Sequence, residues 1–449
     1  MIDLTDILTA LQTAETRFVR VLWCDNANVI RAKAIHIEAL AHHAHGVGIS
    51  AAQQALPVMM DSPAANSGLG PVGEIWLMPD WTTLQQLPYA LGHARAIGNM
   101  MQAGQPWAVC PRGFLQRMIA AADEQGIAIK AVFENEFYLL QPTQIAAQSS
   151  PQPSDRTVFA STLAMDLQQP VIDAIADALM AQGLAVEQYY PESGPGQHEI
   201  SVRYAPALLA ADQQIVFRET VRAIAQRHGL TASFLPKIFP EAAGSGCHIH
   251  FSLWAAEENI TGDPSDAQAL SETTRQFTAG LLYHLPALMA LTTPTPNSYR
   301  RLQPHCWSGA YRCWGLDNRE AAIRVPTDPG SAAISHIELK TVDATANPYL
   351  ALGAMIAAGL DGIQQKRTLL APVDLDPGRL SDTEQQQRGI DRLPTSLAQA
   401  LQCLAQDSTL LEALGPPLAK AYRAVRQAEC DALSQMELAA EVNLLLRRY

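Results

Sequence analysis

Two carboxylates two residues apart, Glu134 and Glu136, sit in the run Phe133–Phe137, which reads as extended chain. In a strand such a pair points to one face. Three further runs repeat the theme. Gln197–Ile200 carries Glu199, seven residues after Glu192. Gly244–Ser252 sets His248, His250 and Ser252 on one face and Cys247, Ile249 and Phe251 on the other. His336–Lys340 places Glu338 between two more polar side chains. Singly, each is a solvated sheet face. As neighbours they would gather several carboxylates and two imidazoles, and like charges that close raise one another's pKa. Divalent cations remove that penalty, and oxygen donors with one or two His nitrogens suit Mg²⁺ or Mn²⁺. No Cys stands among the candidate donors, which argues against structural zinc.

A cationic cluster follows. Arg300, Arg301, Arg312, Arg319 and Arg324 fall between residues 297 and 326. Arg grips carboxylate and phosphate through two parallel hydrogen bonds. The plain alternative is ion pairing with surface acids. Acid-bearing metal strands beside guanidiniums point to phosphoryl transfer, in which metals and Arg neutralise charge. The chain has no GxxxxGK[ST] and no GxGxxG after a strand, so a nucleotide would be held by neither a P-loop nor a Rossmann turn. A GxSxG elbow is also missing.

These residues need a scaffold. The chain has 449 residues, 48% hydrophobic and 17% charged, enough for two or three domains and a sizeable core. The net charge of -13 argues against a general nucleic-acid binder. No apolar run is long enough for a membrane span, and the first residues lack the pattern of a secretory signal. Seven cysteines without a CxxC pair fit reduced thiols and a cytoplasmic setting. Strands are expected at 19–23, 29–35, 127–140, 185–190, 197–203, 232–238, 247–254, 321–325 and 335–342. Helices are expected at 4–14, 113–125, 170–182, 212–228, 270–291, 348–360 and 416–446, and an exposed polar loop at 141–157. Strands that follow one another without crossover helices make this α+β.

The quoted runs identify a resemblance. With Asn297–Leu302, Asn318–Pro326 and Asn347–Leu350, the chain resembles the glutamine synthetase superfamily over nearly its whole length. Met78–Asp80 and Leu393–Leu397 match weaker landmarks. The resemblance implies a small N-terminal β-grasp domain, 1–104, and a large catalytic domain, 105–449, with a curved antiparallel sheet flanked by helices. It implies stacked rings of identical subunits, dodecamer or decamer, with active sites between neighbours. ATP, glutamate and two or three divalent cations are the expected ligands. The γ-carboxylate takes the γ-phosphoryl group, and an amine then displaces phosphate. Carried over by motif, Glu136, Glu192 and Glu199 hold one metal and Glu134, His248 and Glu338 another. Arg301 and Gly244 bind the amino acid, and Arg319 and Arg324 the transferring phosphate. Ser252, Glu187 and Arg324 touch the nucleotide, and His250 lies beside the metal strand.

The departures concern the nitrogen donor. Glutamine-forming members carry a Glu shortly after the NSYxRL motif, where this chain has Trp307. They also use an Asp in a DGSS-type loop, whose equivalent here, Gly46–Ala51, has no acid. A Trp can wall a wider pocket or stack on an alkyl-amine. The resemblance then points to a γ-glutamyl–amine ligase acting on polyamines, ethanolamine or other amines. Its rivals are an ordinary glutamine synthetase using ammonia and a catalytically silent assembly protein. His336 and Lys340 stand where the family usually has Arg, and Ala243 stands where it has Asn, which leaves an acid other than glutamate open. No Tyr lies between Lys366 and Leu393, so adenylylation control is not expected.

Overall fold

The computed structural model describes residues 4–43, 45–142, 150–263 and 265–449. Residues 143–149 of the expected 141–157 loop lie outside the described residues. The first hundred residues build a sheet in the order Ile30–His36, Phe18–Cys24, His93–Gln102, Glu74–Gln86, Val47–Ser50. The central pair, Phe18–Cys24 and His93–Gln102, is parallel and the other pairs are antiparallel. The Glu74–Gln86 and His93–Gln102 strands were not expected. Pro79 and a register shift between Asp80 and Gln85 interrupt the alternation that marks a strand.

A larger sheet carries the motifs. Its order is Asp391–Arg392, Tyr311–Leu316, Ala321–Val325, Ile337–Leu339, Cys247–Ala255, Ala128–Leu140, Gln197–Val202, Val186–Pro191. Only the pair Tyr311–Leu316 and Ala321–Val325 is parallel along that path. Alternation divides each strand between two environments. Phe133, Phe137, Ile249 and Phe251 are buried on the face covered by helices Ala207–Arg227 and Glu272–Thr292. Asn135 is the polar member of that face, and Gln214 of the first helix exchanges two hydrogen bonds of 2.7 Å with it. Burying an amide is tolerated only with such pairing.

Helix Pro348–Gln364 starts at Asn347, whose side chain accepts from Tyr349 N and Leu350 N, with Pro348 in the first position. Two helical expectations need correction. The 170–182 helix begins earlier, at Thr162, and runs through Pro170 to Met180. Its buried face, Ala164 to Leu179, holds it together although Pro removes one backbone donor. The expected 416–446 helix is two, Pro416–Leu433 and Leu438–Leu445. The 232–238 and 335–342 strands shorten to Thr231–Ser233 and Ile337–Leu339. Among the described residues no helix is long and apolar enough to cross a membrane.

Candidate active site on one face of the large sheet

Register decides which motif side chains meet. Cys247–Ala255 pairs His248 with Glu134 on one side and His250 with Glu338 on the other. Glu338 pairs in turn with Arg324, and Glu136 with Glu199. All of these stand on the face opposite the helices.

Two groups result. In the first, His248 Nδ1 is 3.0 Å from Glu134 Oε2 and 3.2 Å from Glu338 Oε1. His250 Nε2 is 3.4 Å from Glu134 and 3.9 Å from Glu338. Donor atoms of Glu134, His250 and Glu338 lie within 4.8 Å of one another. That spread suits one cation bonded at about 2.0–2.6 Å to each. His248 Nε2 is buried without a partner. Burial and then Lys340 push the His248 pKa down to about 4, so the ring is neutral and can ligate. Burial would raise Glu338, but Lys340, His250, His248 and Arg324 hold it down to about 2.

The second group has acids and few cations. Glu136 Oε2 accepts from Gly246 N at 2.9 Å, and burial followed by Glu192 pushes its pKa up to about 7. Burial, then Glu134, Glu136 and Glu192, raise Glu199 to about 10. Glu192 Oε2 accepts the neighbouring Ser193 N–H at 2.9 Å. A protein that crowds carboxylates this way has built a site for positive charge. The residues present therefore fit the divalent cations that the sequence implied.

The cationic residues separate. Arg324 Nε lies 2.7 Å from Glu338 Oε2, in ion-pair contact but misaligned for a hydrogen bond. Lys340 Nζ reaches Glu338 Oε1 at 3.1 Å. Arg301 is buried and donates to Val342 O at 2.9 Å and Lys340 O at 3.2 Å, while its Nε has no partner. Gly244 and Gly246 make room for it. A Cβ on Gly244 would lie 2.5 Å from Arg301 Cγ, and one on Gly246 would lie 2.5 Å from His248 Nε2. Arg319 is exposed, 5.7 Å from the Trp307 ring centre. Arg300 and Arg312 leave the site for ion pairs with Glu441 and Asp391.

A cavity of about 430 Å³ opens beside the first group, lined by Lys130, Glu134, Glu187, His250, Ser252 and His336. Ser252 Oγ accepts from Trp254 Nε1 at 2.9 Å, and Glu187 pairs with Arg203 at 2.8 Å at the exposed rim. Lys130 Nζ rests on the Trp254 ring, 3.4 Å from its centre. Lys130, Tyr190 and Glu320 were not singled out in the sequence. Tyr190 faces Glu199 across the register, and its signal was its position two residues before Glu192. Gly46–Ala51 lies in the small sheet, where Ser50 Oγ accepts from Ala52 N.

Comparison with known proteins bears on the family and the fold. Residues 5–107 match the model of the glutamine synthetase N-terminal domain, and 108–444 that of the glutamine synthetase catalytic domain. The chain is 37% identical to type-1 glutamine synthetase 1 of Dictyostelium discoideum, over 94% of this chain and 87% of that one. It is 36% identical to gamma-glutamylpolyamine synthetase GlnA3 of Streptomyces coelicolor, over 93% of this chain and 91% of that one. A solved structure of a novel glutamine synthase homolog superposes with a TM-score of 0.85 at 31% identity, covering 97% and 99% of the two chains. A complex of GmaS with ADP gives 0.84 at 30%, covering 96% and 97%.

Proposed function

We propose a substrate for this chain, which belongs to the glutamine synthetase family of ATP-dependent ligases: it joins the γ-carboxylate of glutamate to an organic amine. One observation carries the reading. The loop 304–309 presents Trp307, 58% exposed, where the glutamine-forming pattern has an acid. An indole cannot hold ammonium by full charge, but it can cover the alkyl body of a larger amine. The acid-free Gly46–Ala51 stretch and the likeness to a gamma-glutamylpolyamine synthetase support it.

In this reading Arg301 and Gly244 receive the amino-acid carboxylate, and Lys340 adds a point charge. The γ-carboxylate oxygen attacks the γ-phosphorus of ATP and ADP leaves. The amine nitrogen, as the free base, then attacks the acyl carbon, and phosphate leaves and takes up the proton the nitrogen sheds. Arg319 and Arg324 neutralise the phosphoryl oxygens, which requires Arg324 to share itself between Glu338 and the nucleotide. Ser252 and Glu187 line the nucleotide cavity. Glu136, Glu192 and Glu199 hold one divalent cation, and Glu134, His248 and Glu338, with His250 beside them, hold another. Bound there, Mg²⁺ or Mn²⁺ supplies positive charge to the phosphates. We further read the chain as two units, 1–104 and 105–449, working in the cytoplasm as a ringed homo-oligomer with sites between subunits.

Glutamine synthesis from ammonia is the second reading, favoured by the identity to the Dictyostelium enzyme. Phosphate release from ATP and glutamate decides, with ammonia, ethanolamine, ethylamine, putrescine, spermidine and amino acids as acceptors. Strong release with one organic amine and little with ammonia supports the amine ligase. Ammonia as the best acceptor returns the chain to glutamine synthesis. Silence throughout points to another acid or to a fold kept without catalysis.

A further inference from the structure

The loop that carries Trp307 rests on a carboxylate with an unused oxygen. Glu320 is 7% exposed. Its Oε1 accepts from Trp307 N at 2.9 Å, while its Oε2 is buried with no hydrogen-bond partner. Among the described residues no ion pair includes Glu320. The nearest guanidinium of its own segment, that of Arg319, is exposed and turned to the Trp307 ring. A buried carboxylate oxygen left without a partner is costly, so its partner is to be sought in a ligand.

Glu320 also lies in the right place. It immediately precedes the strand Ala321–Val325, which carries Arg324. Gly309, at the end of the same loop, packs there too. A Cβ on it would lie 3.0 Å from Ala322 Cα and 3.2 Å from Lys340 Cβ. The loop is pinned by His305 Nδ1 to Asp376 Oδ2 at 2.7 Å and by Ser308 Oγ to Gln303 O at 2.8 Å. His305 and Trp307 both hold left-handed backbone, φ 60° and 52°. That conformation is unfavourable for residues with a side chain.

From this geometry we infer that Glu320 binds the acceptor substrate: Oε2 receives the ammonium group of a primary amine, and the Trp307 indole covers its alkyl chain. The charge that Trp307 does not provide comes from beneath the loop. The inference rests on the amine-ligase reading and deepens it, because it names a cationic primary amine as the acceptor class.

Glu320→Gln tests it. The amide oxygen still accepts from Trp307 N, so the loop keeps its tether while the charge is lost. The KM for ethylamine, putrescine and ammonium chloride is expected to rise about ten- to a hundredfold, with the KM values for ATP and glutamate unchanged. Hydroxylamine, largely uncharged at neutral pH, should be used about as well by the variant as by the wild type. Equal losses with hydroxylamine and the charged amines would mean that Glu320 only holds the loop, and the inference falls. It falls as well if neither changes. Should Glu320→Gln not fold, Glu320→Asp retains the charge, and its ratio of amine to hydroxylamine turnover should stay near that of the wild type. A collapsed ratio overturns the assignment. A wild type that prefers ammonium overturns the organic-amine reading alone, since Glu320→Gln is still read with ammonium chloride. One that uses no amine overturns both.

Discussion

Two buried regions of this molecule handle charge in opposite ways. Where the small sheet meets the large domain, Arg112 is nearly enclosed, and every nitrogen of its guanidinium is used. Nε and Nη2 take Asp212 at 3.0 and 2.8 Å, Nη2 also takes Asp80 at 2.9 Å, and Nη1 takes Asn99 at 2.7 Å. Tyr349 completes the set by donating to Asp212 Oδ1 at 2.7 Å. Burial would raise Asp80, but Thr82 and Arg112 hold it below the usual carboxylate range. On the motif-bearing face of the large sheet the balance fails. Glu136, Glu192 and Glu199 repel one another, and burial and repulsion raise Glu199 to about 10. A closed network is what structure requires; an unbalanced one is held in place by the rest of the fold and marks where ligands supply the missing charge.

The sharpest way to break the comparison is to open the closed network. Arg112→Leu strands Asp212 and Asp80 without their cation, and removing one partner of a buried pair costs about 3–5 kcal/mol. Chemical denaturation should show that loss. A cost below about 1 kcal/mol would mean that the two regions do not differ in kind.

The same operation in the other region should have the opposite sign. Glu136→Gln removes a like charge, so the metal-free protein should be no less stable than wild type. His248→Ala leaves the chain folded as well. Both should lower phosphate release at least about a hundredfold, more than the loss expected for an outer partner of a ligand. Wild type should melt higher with MnCl2 than with EDTA, since a ligand at about 100 times its Kd adds about 2.7 kcal/mol. The variants should lose most of that rise. Normal turnover in either would end its assignment as a ligand.

The unbalanced region was the more legible one in the sequence, and the reason is physical. Its residues lie two apart on strands, so alternation alone puts Glu134 with Glu136 and His248 with His250. Which strands touch was supplied by the family resemblance, because cross-strand register such as His250 with Glu338 leaves no local mark. The closed network left almost none. Arg112, Asp80 and Asp212 are far apart in the chain, and of the three only Asp80 falls in a run that the resemblance marked, as a weaker landmark. Glu320 escaped for a related reason, since one more acid beside Arg319 reads as a solvated loop until its burial is seen. Helix ends were missed where Pro170 looked like a start and where the last helix broke near Ser434.

A gentler test adds charge back at the subsite. Trp307→Glu places a carboxylate on the exposed side of the loop while Glu320 still holds the backbone N–H. Ammonia should gain about tenfold over organic amines as acceptor, the worth of one charge-assisted contact at a partly exposed position. Competition assays with mixed acceptors read that ratio directly. An unchanged ratio would take the loop out of donor selection.

The smallest expected effect comes from a third place, where a histidine closes a network by carrying charge itself. His284 Nδ1 is 2.6 Å from Asp407 Oδ2, and its Nε2 is 3.0 Å from Asp361 Oδ2. With a carboxylate at each nitrogen the ring is held as imidazolium. Arg367 Nε adds a second cation to Asp361 at 2.8 Å, and Asp407 Oδ1 accepts from Leu410 N at 2.9 Å, so neither acid lacks a further partner. Burial would lower the His284 pKa, but Asp407 and Asp361 raise it above the usual 6.5. The folded chain thus holds this proton more tightly than the unfolded one. Its stabilisation is complete below pH 6.5 and is lost as pH rises through the raised value. Denaturation midpoints of wild type should fall across that window more steeply than those of His284→Gln, with turnover at saturating substrates unaffected at pH 6. Parallel slopes would show that the ring is neutral and that one of its carboxylates carries the proton instead. The three regions would then differ in which partner gives up its charge, rather than in whether the charge is met.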